Sequence, residues 1–135
     1  MKHRTLNIGN WVIDFLFAVD EYDIEGTLAC LYDIYAPVEV RDRALEIMED
    51  GYLNCGFTFS NPEIKRSLCV VGPTSSGSEF VNTFVHEVRH VADAIAKSIG
   101  YKLDGEVPAY ISGDAAMSLA EVVCELGCEH CRAVK

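Results

Sequence analysis

The fold of this chain is organised around the sequence EFVNTFVHEVRHVADAIAKSI, which runs from Glu79 to Ile99. Its apolar residues, which include Val81, Val85 and Ile99, recur every three or four positions, and this spacing predicts one amphipathic helix that buries them. Ser76, three residues before Glu79, fits a capping box at the start of this helix. Side chains four residues apart lie one above the other on a helix, so His86 and His90 share a face. Two imidazoles placed in this way can bind one metal ion at about 2.0–2.1 Å each.

The residue directly after the first histidine, Glu87, can reach a water molecule at the same metal. This is the H-E-x-x-H arrangement of zinc hydrolases, in which the glutamate is the general base. We therefore expect Zn²⁺ as the cofactor. The alternative is that both histidines are ordinary side chains on the polar face of a helix. The metal interpretation is favoured because two of only four histidines fall at this spacing.

A catalytic zinc usually takes three protein ligands and keeps one position open, so a third ligand is needed. Asp93 lies about 10 Å from His86 along a helix axis; we expect it either to orient His90 or to be a plain surface carboxylate. Glu106, at the start of the next predicted helix, is the favoured ligand, although it also suits a first helical turn. Tyr110, one turn further on, is expected to stabilise an oxyanion. Weaker ligand candidates are Asp104, Asp114 and Glu121.

The segment HEVRH at 86–90, followed by GEVPAY at 105–110, resembles zincin metallopeptidases of the gluzincin kind. The resemblance is to small, compact members encoded by bacteria, phages and mobile elements. It implies zinc at His86, His90 and Glu106, with Glu87 as the base. It also implies that an edge strand beside the metal helix aligns a protein or peptide substrate. Ser67–Val71 is the candidate for that strand.

The remaining sequence predicts an α+β fold with a small mixed sheet of about three strands, and the resemblance implies that it is a minimal zincin-like domain. Periodicity and turn residues predict the following order of elements. The elements are a strand at Leu6–Val19, helices at Ile24–Tyr35 and Val38–Asp50, strands at Cys55–Ser60 and Ser67–Val71, the metal helix, and a last helix that is capped by Asp104 and ends near Val123. We expect one domain over residues 1–123 and a cysteine-rich tail over residues 124–135.

The tail carries Cys124, Cys128 and Cys131, with His130 between the last two. This spacing occurs in iron–sulfur enzymes that use S-adenosylmethionine, but those need a large barrel that follows the motif. A structural zinc held by the three cysteines and His130 is an alternative. The favoured interpretation is a reduced tail that binds nothing. Cys30, Cys55 and Cys69 are expected in the core as small apolar groups.

The formal net charge of −10 argues against binding to nucleic acid or to an anionic membrane. Lys2–Arg4 precede an apolar stretch, but Asn7, Asn10 and Asp14 interrupt it, so we expect no signal peptide. No uncharged run approaches the length of a membrane span. The sequence thus predicts a soluble cytoplasmic protein. Three functions compete: a zinc peptidase, an inactive binding module of the same fold, and a small structural zinc protein.

Overall fold

The computed structural model of this chain describes residues 1–133. The predicted α+β class is confirmed: one mixed sheet is packed between two groups of helices. The elements run in this order: β1 Lys2–Ile8, β2 Trp11–Phe17, a 3-10 turn Glu21–Asp23, α1 Ile24–Asp33, α2 Val38–Glu49, β3 Gly56–Asn61, β4 Arg66–Val71, α3 Gly77–Ser98, α4 Glu106–Ser118, α5 Ala120–Gly127 and α6 Glu129–Ala133.

The described residues form a sheet of four strands in the order β1-β2-β4-β3. β2 and β4 are parallel, whereas β1 pairs with β2 and β3 pairs with β4 in antiparallel fashion. The fourth strand arises because the first predicted strand is a hairpin. Gly9, at φ +59°, and Asn10 form its turn, and Ile8 pairs with Trp11 across it. A positive φ is a conformation that glycine adopts without steric cost.

Both faces of the sheet are covered, as the apolar alternation of β2 predicts. Trp11, Ile13, Phe15 and Phe17 face the cluster formed with α3, α4 and α5. Leu16 faces the opposite cluster, formed with α1 and α2. α3 therefore lies across one face of the sheet, and α2 lies under the other.

The long helix α3 begins where the sequence predicts, because the Ser76 hydroxyl accepts a hydrogen bond of 3.1 Å from the backbone N–H of Glu79. Phe80 and Phe84 stack on each other and contact Phe17 of the sheet. The predicted apolar face was too wide, because the sheet and α4 cover only part of the helix circumference. The residues wrongly expected inside are Val81, Val85 and Ile99, which are 42%, 59% and 58% exposed.

The two strands predicted at Cys55–Ser60 and Ser67–Val71 are confirmed as the antiparallel pair β3 and β4, but the choice of edge strand was wrong. Ser67–Val71 belongs to β4, which lies between β2 and β3. Its position is internal because β2 pairs with it in parallel. Gly56–Asn61, the strand β3, forms the edge of the sheet on this side.

The last predicted helix is divided into two. α4 ends at Ser118, Leu119 has a non-helical ψ of 16°, and α5 follows. Asp104 does not cap α4 as predicted. The N-cap residue is Gly105, and no side chain makes a capping hydrogen bond at the N-terminus of α4. None of the helices within residues 1–133 has the length and hydropathy needed to span a membrane.

The first three cysteines of the chain were all expected in the core, and this prediction holds only in part. Cys69 is buried, Cys30 is half-buried, and Cys55 is exposed. Cys55 was wrongly placed in the core because it immediately precedes β3, in a loop whose course the sequence pattern did not predict.

Replacement of Phe17 by alanine tests the aromatic contact that holds α3 to the sheet. Phe17 is fully buried, and its ring lies about 6 Å from those of Phe15, Phe80 and Phe84. We expect Phe17→Ala to lower the free energy of unfolding in urea by roughly 3–5 kcal/mol. The control Tyr22→Ala removes a ring that is 87% exposed and should change it by about 0.5 kcal/mol or less. Equal effects of the two variants would contradict this packing.

Candidate metal centre

The imidazole rings of His86 and His90 converge on the surface of α3. Their Nε2 atoms are 3.2 Å apart, and the rings meet edge to face at 80°. Two nitrogens that bind one tetrahedral zinc at about 2.0–2.1 Å each stand about 3.3 Å apart. The same separation also allows a hydrogen bond between the rings, with one nitrogen donating. The separation of the two nitrogens is therefore close to that of two ligands on one zinc ion.

Glu87 lies beside this pair but faces the sheet. Its side chain is almost fully buried, and its Oε2 atom is 3.9 Å from Nε2 of His86. The Thr58 hydroxyl donates a hydrogen bond of 2.9 Å to Oε1 of Glu87, and the Glu87 carbonyl oxygen lies 3.3 Å from the same hydroxyl. A single hydroxyl proton serves both acceptors, and the carboxylate is the closer one. Thr58 thus fixes the orientation of the carboxylate that the sequence predicts to be the base.

The close approach of Glu87 to β3 depends on a glycine. A Cβ atom at Gly56 would lie 2.8 Å from Cγ of Glu87 and 2.7 Å from the carbonyl oxygen of Val70. Both distances are shorter than real contacts of a Cβ atom. Sequence reasoning missed Gly56 and Thr58 as site residues. Their signal was the alternation of β3, which places Gly56, Thr58 and Ser60 on one face and two phenylalanines on the other.

Two further titratable groups lie in the field of Glu87. Burial raises the pKa of the Tyr52 phenol, and the negative charge of Glu87 raises it further. Burial also raises the pKa of the Cys69 thiol, and the negative charge of Glu87 raises it further. Within the described residues, the Tyr52 hydroxyl has no hydrogen-bond partner. Both groups therefore stay uncharged near the Glu87 carboxylate and do not add a second negative charge.

The opposite side of the histidine pair is formed by Arg89. Its Nε atom donates to Oδ1 of Asp93 at 2.7 Å, and its Nη2 atom donates to the carbonyl oxygen of Leu103 at 2.7 Å. Asp93 is therefore paired with Arg89; the expectation that it orients His90 is not met. Because a helix advances about 100° per residue, Glu87 and Arg89 flank the two histidines, with β3 on one side and the loop before α4 on the other.

The other predicted site residues lie on α4 or close to it. Glu106 is the first residue of α4 and is exposed, and Tyr110 is 66% exposed. Among residues 1–133, no three His, Cys, Asp or Glu side chains come together as a metal-binding group. The structure thus brings His86 and His90 together without Glu106. The role of Glu106 as a metal ligand and the role of Tyr110 in stabilising an oxyanion stay predictions. The weaker candidates Asp104, Asp114 and Glu121 are also exposed.

A cleft of about 480 Å³ opens in front of the histidines, between α2, β3 and α3. The wall from α2 is formed by Arg43 and Ile47, and the opposite wall is formed by the residues of the candidate centre on α3. The edge strand β3 lies between these walls. An adjoining apolar recess of about 310 Å³ lies between α2 and β3. Its lining includes Val40, Ala44, Ile47 and Phe57.

Comparison with known proteins adds no relative. No protein-family model matches the chain, and no curated protein or solved structure matches it either. The resemblance to zincins therefore rests on the sequence motifs alone.

Replacement of Thr58 tests whether its hydroxyl holds the buried carboxylate. Thr58→Val keeps the shape of the side chain but leaves Oε1 of Glu87 without its donor. We expect the free energy of unfolding in urea at pH 7 to fall by about 1–3 kcal/mol, the cost of leaving a buried acceptor unsatisfied. Thr58→Ser keeps the hydroxyl and is the matched control. A Thr58→Val protein as stable as the Thr58→Ser protein would show that the contact does not hold Glu87.

Proposed function

We propose that this chain is a zinc-dependent metallopeptidase in which His86 and His90 are two of the metal ligands and Glu87 is the general base. The proposal rests above all on the 3.2 Å separation of the two Nε2 atoms, which is close to the spacing of two ligands on one tetrahedral zinc. The buried Glu87 carboxylate, whose Oε2 atom lies 3.9 Å from Nε2 of His86, supports its assignment as the base. We infer a protein or peptide substrate in the cytoplasm, the compartment that the sequence predicts.

The chemistry divides between the metal and the chain. When bound, zinc supplies a Lewis acid that polarises the scissile carbonyl and makes water more acidic. Glu87 accepts a proton from the attacking water and later delivers a proton to the leaving amine. Thr58 holds one carboxylate oxygen, Oε1, while Oε2 lies 3.9 Å from Nε2 of His86. Since its hydroxyl binds Oε1, the other oxygen, Oε2, is the one that carries the proton.

The edge of β3 supports a peptide as the substrate. In the order β1-β2-β4-β3, the strand is terminal, so its outer edge can pair with an extended chain by strand addition. Successive side chains of such a chain point to opposite faces of the sheet. One set would point toward His86 and His90 on α3. The other set would point toward the apolar recess between α2 and β3, which suits an apolar side chain of the substrate.

Metal content tests the histidine pair, and cleavage tests the base. We expect wild-type protein to retain zinc after dialysis, and His86→Ala and His90→Ala to lose it. His3→Ala, which removes an exposed histidine of β1, should retain it. Glu87→Gln should keep zinc but cleave an unfolded protein such as labelled casein about 10²–10⁴-fold more slowly. Zinc content is read by elemental analysis and cleavage by release of labelled fragments.

Two results would contradict the proposal. Wild-type zinc content in both histidine variants would remove the metal site. Zinc binding without cleavage of unfolded proteins or mixed peptides would remove the peptidase activity and support the inactive binding module.

A third ligand is tested by titration of zinc against a competing chelator. Because Glu106 is the predicted ligand, Glu106→Gln should weaken zinc binding by more than the roughly 10- to 100-fold cost of losing a supporting group. Asp104→Asn and Glu121→Gln remove exposed carboxylates of the same region and serve as matched controls. A large loss in either control, with Glu106→Gln unchanged, would reassign the ligand.

A further inference from the structure

The outer edge of β3 carries backbone groups that β4 does not use. The N–H of Gly72 donates to the carbonyl oxygen of Cys55 at 2.9 Å, one position beyond the pair of Gly56 and Val71. Hydrogen-bonded pairs alternate along an antiparallel ladder, so every second residue of β3 turns its N–H and C=O away from β4. These residues are Gly56, Thr58 and Ser60. Among residues 1–133, none of the three makes a backbone hydrogen bond outside the sheet. An extended peptide can therefore pair with them.

A polar pocket of about 280 Å³ lies at the beginning of this edge, on the face of the sheet that α3 covers. Its lining includes Asn54, Asn82 and Thr83, together with His86 and Glu87. No aliphatic side chain within residues 1–133 lines it. The pocket shares His86 and Glu87 with the cleft, so the two form one groove along β3. A peptide side chain that enters the pocket meets polar groups.

The Asn82 carboxamide is the group of this pocket that is available to a ligand. The Asn54 side chain is engaged with Ser75: its Nδ2 atom donates to the hydroxyl at 3.0 Å, and its Oδ1 atom accepts from the N–H at 2.9 Å. The Thr83 hydroxyl donates to the Asn54 carbonyl oxygen at 3.3 Å. Asn82 is exposed and lies one helical turn before His86. Its carboxamide offers two donors and one acceptor, so it can bind a polar side chain.

The apolar recess lies on the opposite face of the same edge. Phe57, which lines it, packs against the cluster formed with α1 and α2. Ile47 and Phe57 line both the recess and the cleft, so a peptide in the groove has access to it. Glu39 and Arg43 also line the recess, but they are exposed and carry opposite charges. The recess thus favours an apolar side chain, which gains most from leaving water.

We propose that the groove selects extended peptides in which a polar side chain and a bulky apolar side chain are one or three residues apart. The polar side chain binds Asn82, and the apolar side chain enters the recess beside Ile47. The separation is odd because successive side chains of a strand point to opposite faces of the sheet. It is short because Gly56 lines one pocket, whereas Phe57 and Thr58 line the other. The inference rests on the proposed peptide substrate and concerns its binding, not its cleavage.

Affinity selection tests this preference without cleavage. Random peptides of nine residues are passed over immobilised full-length Glu87→Gln protein loaded with zinc, which lacks the proposed base, and the retained peptides are sequenced. We expect enrichment of asparagine, serine or threonine at one position, and of leucine, isoleucine, methionine or phenylalanine one or three positions away. Proline should be depleted between the two positions, because it has no N–H for strand pairing.

Variants of the groove assign each position to its pocket, with the affinity of a selected peptide measured by fluorescence anisotropy. Asn82→Leu should weaken binding about twofold to tenfold through a lost hydrogen bond, and Ile47→Ala about threefold to tenfold through lost apolar contact. The effect of Asn82→Leu should vanish for a peptide with alanine at its polar position, and that of Ile47→Ala for one with alanine at its apolar position. Lys97→Leu and Val38→Ala, which change exposed residues of the same two helices outside the groove, should bind as the parent protein does.

Three results would overturn the inference. The first is retention of no peptide, and the second is enrichment of apolar residues at both positions or at a separation of two or four. The third is an effect of Asn82→Leu that persists after the polar residue of the peptide is removed. None of these results depends on zinc content or on cleavage of casein, which test the proposed function. A protein that selects such peptides but cleaves none would contradict the peptidase and keep this inference.

Discussion

The rotation of α3 about its own axis is the constraint on which the candidate site depends. Phe80 and Phe84 must pack against Phe17 of the sheet, and burial of each such ring stabilises the fold by a few kcal/mol. Once these rings face inward, the helical period leaves His86 and His90 on the surface. The same period turns Glu87 toward β3. Apolar packing, and not any contact made by the imidazoles, therefore orients the polar residues of this helix.

The contact between Glu87 and β3 is the point at which the fold and the proposed chemistry meet. A buried carboxylate is costly unless it is hydrogen-bonded, and the Thr58 hydroxyl provides that bond. Space for the side chain exists only because position 56 is glycine. One face of β3 thus carries small and polar residues because the Glu87 side chain of α3 packs against it.

The C-terminal segment has a different relation to the fold. α6 is only five residues long, yet Glu129 and Arg132 bind it to the beginning of α3 and to the loop before it. Gly77 permits this docking, because a Cβ atom there would lie 2.2 Å from the carbonyl oxygen of Gly127. Sequence spacing suggested metal binding or an inert tail for this segment, and the structure shows that Glu129 and Arg132 attach it to the rest of the fold.

The sequence by itself determined the fold class, most helices and strands, the cap at Ser76 and the placement of two histidines on one helical face. These features are local: they depend on periods of two and 3.6 residues and on turn chemistry, which the chain carries at each position. Only the tertiary structure decided that β3, not Ser67–Val71, is the edge strand, and that Arg89 reaches the carbonyl oxygen of Leu103. It alone showed Thr58 and Gly56 beside Glu87. Strand order and contacts between distant elements depend on how several apolar faces are buried at once, and no local pattern records that choice.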